Sequence, residues 1–87
     1  MLTNVSTAFE PNPDSPVYLY VQVADYIAGL IESGELPPGA RLLAERDLAD
    51  EYGVSLQTAR RAVQELRDRG LVQTVAVKGT FVVKPDA

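Results

Sequence analysis

Most of the side chains of this chain that are able to do chemistry are charged. Eight are basic and twelve are acidic, and there is neither histidine nor cysteine. The chain therefore lacks an imidazole base, a thiol nucleophile, a disulfide framework and a zinc site of the Cys/His kind. What remains is the binding of anions by arginine, whose planar guanidinium holds phosphates or carboxylates through paired hydrogen bonds.

The charges are distributed unevenly along the chain. Residues 1–54 carry two basic side chains against nine acidic ones, whereas residues 55–84 carry six basic against two acidic. The net charge of −4 argues by itself against a polyanionic partner. An acidic half joined to a basic half is nevertheless typical of a nucleic-acid-binding protein that uses one face. Chance segregation of charge in a short chain is the alternative.

Other kinds of site find little support. The clustered carboxylates Glu45, Asp47, Asp50 and Glu51 indicate a solvated helix face rather than a metal site. There is no glycine-rich phosphate loop and no nucleophile elbow, so we predict no enzyme activity, no cofactor and no metal. No apolar run approaches the roughly 20 residues that a membrane helix needs, and the N-terminus shows no targeting signal. We expect a cytoplasmic protein without a membrane partner.

The first half of the chain predicts an arm followed by a helix. Residues 1–15 are polar, contain two prolines and lack periodicity, which predicts a disordered arm. A helix is predicted over 16–34, with Asp14 or Ser15 as its N-cap. Its apolar residues fall at helical spacing and form one buried stripe. They are Tyr20, Val23, Ala24, Ile27, Leu30 and Ile31.

Two shorter helices are predicted after the turn formed by residues 35–40. One covers 45–52 and ends at Gly53, and the other begins at Ser55, whose hydroxyl can cap the amide of Gln57 or Thr58. The apolar positions of both helices predict their buried sides. These positions are Leu48, Ala49, Tyr52, Ala59, Ala62, Val63 and Leu66.

The sequence of residues 71–84 predicts a β-ribbon. Residues 71–75 and 80–84 are rich in β-branched side chains, and residues 76–79 form the turn between them. Residues 41–43 are expected to add a short strand. The predicted fold is therefore mainly α with a small antiparallel hairpin: a winged helix-turn-helix domain over 16–84, followed by a tail over 85–87. The second helix of such a motif can lie in a DNA major groove.

Several local motifs, in this order and spacing, resemble the DNA-binding domain of the GntR family of bacterial transcription regulators. The matching stretch runs from Pro16 to Val82. The matches are Pro16, Tyr20, Gln22-Val23, Gly34, Leu36, Pro38-Gly39, Leu42, Glu45 to Ala49, Gly53-Val54-Ser55, Thr58, Arg60, Ala62, Leu66, Gly70-Leu71-Val72 and Gly79 to Val82.

The resemblance implies double-stranded DNA as the partner and places the contacts in four regions. They are Arg46 early in the second helix, the pair Ser55 and Leu56, then Arg60 with Thr58, and the wing tip from Val77 through Lys78 to Gly79. Arginine and hydroxyl groups at these positions suit phosphate, particularly near a helix start.

Two further candidates follow from helical geometry. Gln57 and Arg61 point away from the buried stripe, from where glutamine can bind an adenine edge and arginine a guanine edge. The alternative for every exposed arginine is a solvated side chain or a local ion pair, such as Arg61 with Glu65 or Arg46 with Asp50.

The sequence departs from the family pattern at three places. Leu56 stands where the family usually has an arginine, so it either contacts a thymine methyl or is half buried. Leu43-Ala44 replaces proline-serine, which removes a common helix cap. The wing carries Val75, Ala76 and Val77 instead of arginine and an additional glycine. We therefore expect weaker binding or a different sequence preference.

The function that the resemblance implies is a sequence-specific transcription regulator, most simply a repressor, acting on a palindromic operator. A homodimer formed only on DNA is expected, because no exposed apolar stripe suggests a permanent one. The family normally has a second, larger domain for an effector and for dimerisation, and we expect no effector site within these 87 residues. The competing interpretation is a protein-interaction module whose apolar wing edge adds to a partner sheet.

Overall fold

The computed structural model describes residues 9–83 of the chain. Its helices are α1 (Leu19–Ser33), α2 (Glu45–Tyr52) and α3 (Leu56–Asp68), and its strands are β1 (Val72–Val75) and β2 (Gly79–Val82). The predicted class, three helices followed by an antiparallel hairpin, is confirmed. Predictions that concern residues 1–8 and 84–87, including Lys84 and the tail, lie outside the described residues.

The core forms where α3 packs against both α1 and α2. All four predicted apolar positions of α3 are buried, and Ala59, Ala62 and Leu66 are completely so. The two alanines leave room for α1, whose Val23 and Ala24 are also fully buried. Burial of these stripes stabilises the helices, since helices of this length are marginal on their own.

The ends of α2 and α3 show which caps the local sequence can provide. Ser55 is the N-cap of α3, and its hydroxyl accepts a hydrogen bond from the Thr58 amide at 3.0 Å, as predicted. Ala44 is the N-cap of α2 and makes no side-chain cap, so Glu45 and Asp47 in the first turn favour this helix only through its dipole. Gly53 ends α2 in the left-handed conformation.

The predicted start of α1 is wrong by three residues. The helix begins at Leu19, and its N-cap is Tyr18, without a side-chain cap. Ser15 instead accepts a hydrogen bond from the Val17 amide at 3.0 Å, which makes a local turn before the helix. The Gln22 amide side chain accepts from the Asn12 amide at 2.8 Å and donates to the Asn12 and Val17 carbonyls. These side-chain bonds compete with the first helical turn.

Residues 9–15 belong to the predicted arm, and two of them contact the folded domain. Phe9 packs against the core, with its ring 5.6 Å from Tyr26 and 5.3 Å from Tyr52, centroid to centroid. Tyr26 and Tyr52 meet edge to face at 5.9 Å. We call Phe9, Tyr26 and Tyr52 the aromatic cluster. Packing against the core thus extends to Phe9, seven residues before the predicted domain boundary.

The hairpin is a short two-stranded ribbon, next to which Arg41 forms an isolated bridge. Val72 pairs with Val82, and Val75 with Gly79. On the other side of β2, Arg41 bridges Phe81, and the Leu42 amide donates to the Thr80 carbonyl at 2.8 Å. This bridge is the counterpart of the predicted strand at 41–43. The turn places Val77 at φ 71° with its side chain fully exposed, a left-handed conformation that costs a β-branched residue about 1–2 kcal/mol.

Alkaline pH is expected to weaken the fold through Tyr52. Burial raises the pKa of this phenol to about 12, and the neighbouring Tyr26 and Glu51 add to the shift. The pKa of Tyr52 is higher in the folded chain than in the unfolded chain. The contribution of Tyr52 to the free energy of unfolding is therefore complete below about pH 10 and is lost as the pH rises through about 12. Across that window, the free energy of unfolding should fall by about 1–3 kcal/mol because of this group.

Urea unfolding between about pH 8 and about pH 12 measures this dependence. Tyr52→Phe is the control, because phenylalanine keeps the ring and has no proton to lose. The variant should show a clearly shallower decline than the unmodified chain. Equal declines in both proteins would contradict the assignment to Tyr52.

Candidate nucleic-acid interface

The start of α3 is exposed and is capped by the Ser55 side chain. Ser55 accepts the Thr58 amide proton, and its hydroxyl donates to the Thr58 hydroxyl at 3.0 Å. Thr58 retains its own hydroxyl proton for a further acceptor. The first amides of a helix point outward and favour negative charge. Ser55 and Gln57 are exposed, whereas Leu56 is half buried, which agrees with one of the two interpretations of its position.

A shallow cleft lies between the start of α1 and the start of α3. Its lining joins predicted site residues of α3 to residues at the start of α1 that sequence reasoning did not assign to the site. They are Tyr18, Leu19, Tyr20, Ser55, Gln57, Thr58 and Arg61. The guanidinium carbon of Arg61 lies 4.4 Å from the centre of the Tyr20 ring, which is a cation–π contact. The expected pairing of Arg61 with Glu65 is therefore not the contact observed.

Two further exposed arginines lie on the helix-turn-helix, and neither belongs to the lining of this cleft. Arg46 is exposed in the first turn of α2. Arg60 is also exposed, and its Nε lies 3.4 Å from a Glu45 carboxylate oxygen. Both partners of this pair are open to solvent, so the pair is weak and leaves the guanidinium available for exchange with a phosphate. Within residues 9–83, Arg46 does not form the expected ion pair with Asp50.

The wing brings a further cation to the predicted tip. Lys78 is exposed, and its amide closes the turn by donating to the Val75 carbonyl at 3.0 Å. The Arg41 side chain crosses Gly79, where an added Cβ would lie 2.7 Å from the Arg41 Nε. Gly79 therefore allows a close approach, and its φ of 126° also suits glycine. Sequence reasoning missed Arg41, although the predicted strand at 41–43 beside the ribbon was a usable signal.

The remaining arginines of α3 and its end have structural partners. Arg67 donates to the Thr74 hydroxyl and to the Gln64 side-chain oxygen, which fastens β1 to α3. Arg69 binds Asp25 at 2.8 Å and Glu65 at 2.9 Å, which connects α1 to α3. Hydrogen bonds to Asp25 and then Glu65 raise the pKa of Arg69 above its usual value. These two cations therefore stabilise the fold rather than line the cleft.

A model of the family described as bacterial regulatory proteins, gntR family, matches residues 19–82. The chain belongs to the GntR family. The matched stretch contains α1, α2, α3 and the hairpin, so the family assignment covers every element of the fold. The resemblance inferred from local motifs is thereby confirmed.

The similar proteins are transcription regulators. The repressor NagR of Bacillus subtilis is 38% identical over 74 residues, which cover 85% of this chain and 30% of NagR. YtrA of Sulfolobus acidocaldarius, a GntR-family transcription factor, has a TM-score of 0.77 at 37% identity, covering 91% of this chain and 82% of YtrA. The DNA-binding domain of AraR, solved with an operator, has a TM-score of 0.72 at 31% identity, covering 86% and 96%. The chain thus spans about a third of the length of NagR.

Neither a membrane helix nor a metal cluster is found in the described part of this GntR-family chain. No helix within residues 9–83 is long and apolar enough to cross a membrane. The same residues contain no group of three or more side chains placed to hold a metal ion.

Proposed function

We propose that this chain is the DNA-binding part of a GntR-type transcription regulator and that it represses by occupying an operator. The observation that carries the proposal is the exposed start of α3. There, the hydroxyls of Ser55 and Thr58 lie in one cleft with Gln57 and Arg61. Arg60 on α3 and Arg46 in the first turn of α2 are also exposed. The solved complex of AraR with an operator supports double-stranded DNA as the partner. A winged-helix protein-interaction module is not favoured by these similarities.

Each predicted residue has a distinct role in the proposal. Arg46, Arg60, Ser55 and Thr58 contact phosphate, while Gln57 and Arg61 reach base edges and Leu56 stays against the protein. Lys78 and Gly79, at the tip of the wing, contact the phosphate backbone or the minor groove of the DNA. Arg41, held over Gly79, adds the cation that the wing tip lacks at Val75 to Val77. The site includes no catalytic residue, no cofactor and no metal.

The proposal extends to assembly and location. Two copies bind a palindromic operator as a homodimer, because one α3 contacts only a half-site and two half-sites one helical turn apart multiply specificity. No small-molecule effector is assigned to the chain. As a DNA-binding regulator of a bacterial family, the domain works in the cytoplasm, where the DNA is accessible.

Selection from a pool of random duplexes, at low and then at physiological salt, tests the proposed function. Enrichment of a palindromic motif is the expected result, and it supplies the half-site spacing. Retention that falls with salt but enriches no motif would contradict sequence specificity, since phosphate contacts alone are sequence-independent. Absence of retention even at low salt would contradict DNA binding altogether.

Removal of the carboxylate beside Arg60 is expected to strengthen DNA binding. Glu45→Gln removes a negative charge 3.4 Å from the Arg60 guanidinium and releases that cation for a phosphate. The expected gain is about two- to five-fold in affinity at physiological salt, the range of a partly exposed surface charge. Fluorescence anisotropy with a labelled duplex measures it.

Glu32→Gln is the matched control for Glu45→Gln. It makes the same change of charge at an exposed residue about 20 Å along α1 from Leu19. Because a Debye length is about 8 Å at physiological salt, Glu32→Gln should leave the affinity nearly unchanged. Equal gains in both variants would show that only net charge matters, which contradicts a phosphate contact by Arg60.

A further inference from the structure

The contact between Arg61 and Tyr20 joins the outward face of α3 to the start of α1. Arg61 lies with its guanidinium carbon 4.4 Å from the Tyr20 ring centre. The Tyr18 ring stacks on Tyr20 at a centroid distance of 6.2 Å and an interplanar angle of 13°. Tyr18 is 74% exposed, whereas Tyr20 is half buried and held against the core. The arginine therefore rests on an aromatic support that is itself fixed to the domain.

Such stacking orients an arginine without using its hydrogen bonds. The cation–π contact occupies the face of the guanidinium, and the N–H donors project from its edge. Recognition of guanine by arginine uses that edge, through two parallel hydrogen bonds to O6 and N7. A supported side chain also loses less rotamer freedom on binding than an unsupported one. The geometry thus favours an arginine prepared for edge recognition.

The neighbouring charges leave Arg61 free for this role. Glu65 lies one turn further along α3 and would be the natural local partner, but it binds Arg69 at 2.9 Å. Leu56, which replaces the usual family arginine in the first turn, is half buried and has no donor for a base. Arg61 is the positively charged residue on the outward face of α3, which otherwise presents Gln57, Gln64 and Asp68.

We propose that Arg61, held against Tyr20, is the guanine-reading residue of this domain and that Tyr20 is its positioning residue. In this proposal, the residue that sets the base preference is Arg61. It lies five residues after Leu56 on α3, which is about 7.5 Å along the helix axis. This inference rests on the proposed function, because it requires that α3 enters a major groove. It assigns to the Tyr20–Arg61 pair a preference for guanine at one position of each half-site.

The test begins with a motif selected by the unmodified chain. Duplexes with and without the guanine at each motif position are then compared for the unmodified chain and for Arg61→Ala. Arg61→Ala should bind the selected site about 10- to 100-fold more weakly, with the loss confined to one guanine per half-site. On a duplex lacking that guanine, Arg61→Ala and the unmodified chain should bind alike.

Two substitutions at Tyr20 separate positioning from packing. Tyr20→Phe keeps the ring and should retain the guanine preference. Tyr20→Leu keeps an apolar side chain but removes the aromatic face, and it should reduce discrimination at that same position several-fold while leaving the other positions unchanged. In an Arg61→Ala background, Tyr20→Leu should have no further effect on discrimination, because both changes act through one contact. Thermal unfolding of each variant confirms that binding is measured on folded protein.

The opposing outcomes are distinct. A motif that is unchanged in Arg61→Ala would overturn the inference and leave the proposed function intact. Equal loss by Arg61→Ala on all duplexes, with a salt slope lower by about 0.9, would overturn it in favour of a phosphate contact. Failure of the unmodified chain to enrich any motif would overturn the proposed function itself, and the inference with it. Equal discrimination by Tyr20→Leu and Tyr20→Phe would overturn the role of Tyr20 alone.

Discussion

Replacement of both Arg46 and Arg60 by alanine is expected to weaken duplex DNA binding by about 100- to 10,000-fold. A hydrogen bond to a charged group contributes about 1.5–3 kcal/mol, and each 1.4 kcal/mol is a tenfold change in affinity. Both side chains are exposed, and the surface pair of Arg60 with Glu45 adds less than about 1 kcal/mol to folding. The double variant should therefore remain folded while its binding is largely lost.

The salt dependence of binding identifies the cause of that loss. Two phosphate contacts fewer should lower the slope of log affinity against log salt by about 1.8. Binding isotherms at several salt concentrations measure this slope, and far-UV circular dichroism establishes that the variant is folded. The loss should be similar on specific and random duplexes, since phosphates carry no sequence information.

Arg69→Gln is the control for a general effect of charge. It also removes a cation, but one that binds Asp25 and Glu65 and connects α1 to α3. Arg69→Gln should lower the melting temperature and leave the affinity of the folded protein nearly unchanged. If Arg69→Gln weakened binding as much as the double variant does, the assignment of Arg46 and Arg60 to the interface would be wrong.

Leu66→Ala is expected to lower the free energy of unfolding by about 2–5 kcal/mol. Leu66 is completely buried on α3, the helix that packs against both α1 and α2, and truncation leaves a cavity that close-packed neighbours fill only in part. A chain of this length has a total stability of about 4–13 kcal/mol. One substitution in the core therefore removes a large fraction of the stability.

Leu43→Ala provides the matched comparison. Leu43 is 47% exposed, so the same truncation should cost less than about 0.5 kcal/mol. Urea unfolding followed by circular dichroism measures both variants under one set of conditions. A cost below about 1 kcal/mol for Leu66→Ala would contradict the packing of α3 described above.

Local patterns predicted the helices of this domain well where the sequence itself contains the deciding interaction. The bounds of α2 and the cap of α3 by Ser55 follow from residues within four positions of one another. The same holds for the buried side of α3, because its periodicity of apolar residues dictates which face leaves water. The family resemblance came from the same stretch of short motifs, and the match over residues 19–82 confirms it.

The N-terminal segment shows why other predictions failed. The polar composition of residues 9–15 indicates disorder when only neighbours in sequence are considered. Phe9 nevertheless packs on Tyr26 and Tyr52, and Gln22 binds the backbone of Asn12. Both interactions join residues ten or more positions apart, and so the start of α1 and the edge of the packed domain depended on contacts that local patterns do not contain.

The sequence by itself determined the class of the fold, the faces of the helices and the family, because propensity, periodicity and caps act within a few residues. Only the tertiary structure decided the partners of the arginines. Arg69 binds Asp25, 44 residues away, Arg61 lies on Tyr20, and Arg41 crosses Gly79. The long side chain of an arginine can reach several acidic and aromatic residues. The packing of α1, α2, α3 and the hairpin selects which of these residues lies at bonding distance.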